Sequence, residues 1–171
     1  GCPVPKLFKN GEGSALLENL PLAEKIISEC KKSGKNITVK FRTGVTEEKK
    51  ITRDFAVMCE NAGADMITVH GRTRSAYYSG EVDFDEIASA KNSVKIPVIA
   101  NGGVFSAEDA DRLMENTGAD GIALARGALY NPFLFSEITG TKTTSDVYDL
   151  ICTHIDRLKE VYPDKWIARN M

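Results

Sequence analysis

No stretch of this 171-residue chain approaches the ~18 consecutive apolar residues that a bilayer-spanning helix needs. The opening Gly1-Cys2-Pro3-Val4-Pro5-Lys6 also lacks the basic and apolar regions of a secretory signal, so the expectation is a cytoplasmic chain. A dominant charge sign is missing too. The 22 Lys and Arg against 24 Asp and Glu leave a formal −2, and composition alone carries no electrostatic sign of a nucleic-acid partner. The four cysteines, Cys2, Cys30, Cys59 and Cys152, are scattered, with neither C-x-x-C spacing nor a histidine at zinc-finger distance. That argues against a disulfide scaffold and against structural zinc; no metal is expected. The chain lacks an initiator methionine, and Gly1-Cys2-Pro3 reads like the interior of a longer chain, so a fragment is expected. What remains, 42% hydrophobic residues, 27% charged residues and 14 glycines, suits a folded domain.

Four short β-branched segments, residues 37–41, 66–70, 96–100 and 121–125, read as buried strands. Helical patterns separate them. Leu22, Ile26 and Ile27 precede the first strand, and Ile51, Phe55, Met58 and Cys59 precede the second. Phe84 and Ile87 precede the third, and Ala110, Leu113 and Met114 the fourth. A capping box, Ser106-Ala107-Glu108-Asp109, and the stop signals Gly34, Gly63 and Gly118 support this βαβαβαβ order, which implies a parallel sheet. A short helix is expected over 128–138 around Pro132, a linker over 140–145, and an amphipathic helix over 146–161 with Val147, Leu150, Ile151, Ile155 and Leu158 on its apolar side. The domain reading is therefore 1–139 and 140–171.

An internal repeat sharpens the fold. Thr38-Val39-Lys40-Phe41-Arg42-Thr43 and Thr68-Val69-His70-Gly71-Arg72-Thr73 share T-V-[KH]-x-R-T at an offset of 30 residues, the size of one βα unit. Repeated βα units favour an α/β barrel of the (β/α)8 type, of which four strands make half. Strand alternation puts Thr38, Lys40 and Arg42 on one face, with Thr68, His70 and Arg72, while Val39, Ile67 and Val69 point to the helices. Polar and cationic groups thus collect at the carboxyl ends of neighbouring strands, where barrel active sites are built.

Asn101-Gly102-Gly103 and Ala125-Arg126-Gly127 end the last two strands and form a candidate phosphate site, since glycine lets backbone approach an anion and Arg126 supplies charge. The same glycines would also suit plain tight turns. Lys40 and His70 read as cofactor contacts, against the alternative of polar caps over the barrel. Arg42 and Arg72 read equally as site residues or as partners of local carboxylates. Cys2 is either an ordinary thiol or a proton donor. Asp83, Asp85 and Glu86 read as solvated or capping, and His154 as a surface or packing residue.

Gly1-Cys2-Pro3-Val4-Pro5-Lys6 with the Lys9 to Leu17 segment resembles the active-site loop of bacterial tRNA-dihydrouridine synthases, especially the B-type branch. Four later motifs resemble that family in order: Val39 to Gly44, Thr68 to Arg74, Ile96 to Gly103, and Ala125 to Pro132. The resemblance implies an FMN enzyme that reduces uridine to 5,6-dihydrouridine in tRNA with NADPH. It assigns Cys2 as the general acid, Lys40 and His70 to the flavin ring, Asn101, Gly102, Gly103, Ala125 and Arg126 to the ribityl phosphate, and Arg72 to the uracil or tRNA. The family usually has Asp at the place of Gly103 and Gly at that of Ala125. Its first four strands have no counterpart here, so the expected fragment is inactive. It self-associates as a homodimer through its open sheet edges, and its last helix begins a helical RNA-binding domain. Two other functions stay open: another FMN barrel acting on a free pyrimidine such as dihydroorotate, and a non-catalytic self-associating half barrel.

Overall fold

The structure, a computed structural model, describes residues 1–142 and 146–170. They fall into two compact units, Gly1–Leu134 and Phe135–Met171. In the first unit, strands β1 (Thr38–Arg42), β2 (Met66–His70), β3 (Val98–Asn101) and β4 (Gly121–Ala123) form one parallel sheet in sequential order. Helices α2 (Leu20–Lys31), α3 (Thr52–Asn61), α4 (Phe84–Ser93) and α5 (Ala107–Thr117) alternate with the strands, and α3 to α5 pack on the sheet. A short helix α1 (Pro5–Lys9) and a 3-10 turn (Gly13–Glu18) precede α2. This is an α/β half barrel, four consecutive βα units of the (β/α)8 architecture.

The core lies between sheet and helices. Ile67, Val69, Val98 and Ala100 from the strands meet Ala56, Cys59, Ile87, Ala90 and Leu113 from the helices, all at most 1% exposed. Each large aliphatic side chain there contributes about 1.5–3 kcal/mol of transfer free energy, before the entropy of ordering the chain is set against it. Burial also pushes the Cys59 thiol up to about 12, which keeps it protonated and inert.

The strands sit where the composition placed them, with shifted ends. The first runs one residue later than expected. The third starts at Val98 because Pro97 has no N–H to donate to a ladder. The fourth stops at Ala123, since Ala125 (φ −137°, ψ −94°) already turns into the next helix. The single helix expected over 128–138 is two, α6 (Arg126–Tyr130) and α7 (Leu134–Thr139), broken where Asn131 goes extended before Pro132. On α2 the buried face is carried by Ala23 and Ile27. Leu22 and Ile26 stand one residue back, about 100° around the helix, and are 42% and 43% exposed. The capping box is real at one end: Ser106 Oγ accepts the Asp109 N–H, but the Asp109 carboxylate accepts from Phe105 N–H rather than from the cap residue. Asp83 caps α4 by accepting the Glu86 N–H.

In the second unit, Asp146 caps α8 (Val147–Lys159), which carries the expected apolar positions, and His154 is exposed on it. A further helix, α9 (Asp164–Asn170), ends the described chain and has no expectation behind it. The linker expected over 140–145 lies partly outside the described residues. No described helix is long and apolar enough to cross a membrane.

Candidate functional site

The strand ends create the site. Register pairs Thr38 with Met66 and Arg42 with His70, two residues short of the 30-residue repeat. Lys40 and His70, equivalent in the repeat, are therefore staggered along the same face of the sheet, as the shear of a barrel demands. Each neighbouring strand adds a step: His70 pairs with Asn101, and Asn101 with Ala123.

Beyond these ends lies an open cleft of about 370 Å³. Cys2, Lys40, His70, Arg72, Asn101, Gly102, Gly103, Ala125 and Arg126 all line it, so the structure brings every expected site residue into one place. It adds Arg42, Tyr78 and Phe105. Four cationic side chains, Lys40, Arg42, Arg72 and Arg126, share this cleft with no described carboxylate, in a chain of net charge −2. The consequence is read at His70. Burial first, then Arg42, Lys40, Arg72 and Arg126, brings its pKa down to about 3, so the imidazole is neutral at physiological pH. Burial of the Lys40 ammonium, with Arg42 beside it, brings that pKa to about 8, although the side chain as a whole keeps solvent contact.

Neither buried arginine pairs with a carboxylate among the described residues. Arg42 Nη1 donates to the carbonyls of Thr73 (2.9 Å) and Tyr77 (2.7 Å), tying the β2–α4 segment to β1. Arg72 donates from Nε and Nη2 to the Gly80 carbonyl at 3.1 and 2.9 Å. Its Nη1 is buried with no hydrogen-bond partner among the described residues, in a residue only 8% exposed. Asn101 spends its amide on the Ala123 carbonyl (2.7 Å), which locks the ends of β3 and β4 side by side.

Two glycines are dictated by space. Gly102 has φ +123°, and a Cβ there would stand 3.0 Å from His70 Cδ2 and 3.1 Å from Val82 Cγ2. Any larger residue would displace the imidazole. At the other end of the cleft, Gly13 (φ +61°) lets the 13–14 backbone close on Cys2: the Cys2 carbonyl accepts from Ser14 N–H (3.0 Å) and Ser14 Oγ (2.7 Å), with Ser14 fully buried. Cys2 is thereby held at the cleft wall, half-buried.

The architecture and the cleft belong together in a known family. The family model for dihydrouridine synthase (Dus) matches residues 1–170. The chain belongs to the dihydrouridine synthase family. Over 172 residues it is 39% identical to the probable tRNA-dihydrouridine synthase of Rickettsia conorii, covering 95% of this chain and 52% of that protein. It is 35% identical to tRNA-dihydrouridine synthase B of Pasteurella multocida, again over 95% of this chain and 52% of that one. The chain thus spans about half the length of the curated relatives it matches. A solved mandelate oxidase aligns over 67% of this chain and 42% of its own, with a TM-score of 0.45 and 17% identity.

Among the lining residues, Tyr78 and Phe105 had no expectation behind them. Aromatic residues in βα segments carry no periodic signal; only the position of Tyr78 shortly after the Arg72-Thr73-Arg74 turn and of Phe105 just before a helix cap pointed to the strand ends.

Proposed function

We propose that this chain supplies half of the active site of an FMN-dependent, cytoplasmic tRNA-dihydrouridine synthase, reducing uridine to 5,6-dihydrouridine with NADPH. The observation that carries the reading is the cleft of four cations, a neutral histidine and no described carboxylate. Such a site favours an anion, and the Gly102-Gly103 turn beside Arg126 suits phosphate oxygens.

When bound, FMN supplies the reducing equivalents that saturate the C5–C6 bond of uracil, replenished from NADPH. In this reading Lys40 and His70 hold the ring, and the positive charge of Lys40 stabilises negative charge at its pyrimidine edge. Asn101, Gly102, Gly103, Ala125 and Arg126 hold the phosphate. Arg72 contacts the extruded uracil or the tRNA backbone, and Cys2 donates the proton at C5. Residues 140–171 begin a helical region that contacts tRNA. Because the four strands wall one side of the cleft, the 171 residues by themselves hold flavin weakly and do not turn over. Mass spectrometry of tRNA from a strain deleted for the gene tests the reading: loss of dihydrouridine at a defined position is expected, and an unaltered dihydrouridine content overturns it.

A further inference from the structure

The Arg126 side chain makes neither a hydrogen bond nor an ion pair with any described residue. What it touches instead is aromatic. Its guanidinium carbon lies 4.5 Å from the centre of the Tyr78 ring and 5.6 Å from that of Phe105, which comes from a different βα segment. Phe105 is itself backed by Tyr130, with ring centres 6.3 Å apart.

The placement of Tyr78 is built into the backbone. Tyr77 is the one non-glycine residue with positive φ (52°) among the described residues, and its carbonyl accepts a 2.7 Å hydrogen bond from Arg42, a side chain 3% exposed in β1. A left-handed tyrosine is strained, and it persists because Arg42 grips it. The next ring, Tyr78, is thereby delivered into the cleft, where it also lies 5.6 Å from the Arg42 guanidinium and 6.5 Å from the His70 ring.

A guanidinium packed against rings keeps the N–H groups that are not turned toward them for hydrogen bonding, and a guanidinium fork matches two phosphate oxygens. Restricting a long, free side chain in advance also lowers the entropy lost when the anion arrives. We infer that Tyr78 and Phe105 are positioning residues that hold the Arg126 guanidinium in place for a phosphate monoester, so that the cleft selects the phosphorylated form of its ligand. This rests on the phosphate reading of Arg126. The phosphate is the cofactor's in that reading; a tRNA backbone phosphodiester is the competing anion that the experiment separates from it.

The experiment uses the holoenzyme containing this chain, stripped of flavin and titrated with FMN, riboflavin and tRNA. Tyr78→Phe keeps the preference for FMN over riboflavin. Tyr78→Leu and Phe105→Leu each lower it roughly three- to tenfold, and the double variant lowers it further, with riboflavin affinity little changed. A preference unchanged in the double variant, while Arg126→Ala abolishes it, overturns the positioning role. A loss of tRNA affinity without loss of the FMN preference overturns selection of the cofactor. If Arg126→Ala itself leaves the preference intact, the phosphate reading has failed, and the clamp is judged on Arg126 alone. Its Nε–H proton resonance, shifted by the two ring currents, moves in the double variant with or without flavin, and an unmoved resonance overturns the clamp.

Discussion

Cys2, at the cleft wall and held through its backbone by Ser14, is proposed to act only after reducing equivalents reach uracil. Cys2→Ala in the holoenzyme should therefore leave flavin reduction by NADPH at its normal rate and suppress dihydrouridine formation by about 100-fold or more, the usual weight of a general acid. Single-turnover measurement of both half-reactions checks this; full product formation removes Cys2 from the mechanism. Lys40 gives a pH prediction with a definite sign. Its pKa of about 8 in the ligand-free cleft means that the charge is present below pH 8 and lost above it. An anion that pairs with the ammonium raises that pKa again, so FMN affinity should be flat below pH 8 and fall by up to about tenfold per pH unit above it. Lys40→Arg, charged throughout, should flatten the profile, and isothermal titration between pH 6.5 and 9.5 reads the difference. Lys40 was legible in the sequence because strand alternation and the 30-residue repeat put it on one face with Arg42, His70 and Arg72, whereas Cys2 stood out only through the family resemblance of its loop. The roles of Arg42 and Tyr78 were not, since they depend on a hydrogen bond to Tyr77 and on ring contacts across segments.

At the level of elements, a device on the opposite end of the sheet recurs and was not visible in the sequence. Asp65, just before β2, accepts the Ile37 N–H at 2.7 Å and pairs with Lys31 from α2. Asp120, just before β4, accepts the Val98 N–H at 2.8 Å and pairs with Lys91 from α4. Each carboxylate ties the start of one strand to the start of its neighbour and to the helix that precedes that neighbour. The exposed ion pairs add little; the acceptor for a buried backbone N–H matters more. Asp120→Asn, which keeps an acceptor, should therefore lower the urea midpoint less than Asp120→Leu, and equal losses would show that the charge dominates. Ser106→Ala, which removes the side-chain acceptor at the start of α5, should cost about 1 kcal/mol by urea unfolding, with activity of the holoenzyme unaltered.

At the scale of the whole molecule, the sheet has two edges, β1 and β4, each with one neighbouring strand. An apolar groove of about 240 Å³, lined by Leu16, Ile26, Ile27, Ile37, Val39 and Phe41, runs beside β1. Unpaired edges next to apolar surface seek partners, and we propose that the isolated chain pairs with a second copy through them. Sedimentation velocity should show a sedimentation coefficient that rises across a concentration series. A monomer at every concentration, with well-protected amides in Met66–His70, would overturn that proposal.

The sequence by itself determined the four βα units, the parallel order and the shared face of Lys40, Arg42, His70 and Arg72, because period-2 alternation, glycine stops and one internal repeat are local properties that survive without coordinates. Only the tertiary structure decided how those residues act together. The two-residue stagger between β1 and β2 places Arg42 opposite His70, and burial first, then four cations from three βα units, hold that imidazole neutral. Tyr78 and Phe105 meet around Arg126 for the same reason. Charges and rings distant in the chain couple through space, and their energies depend on separations that only the folded sheet sets.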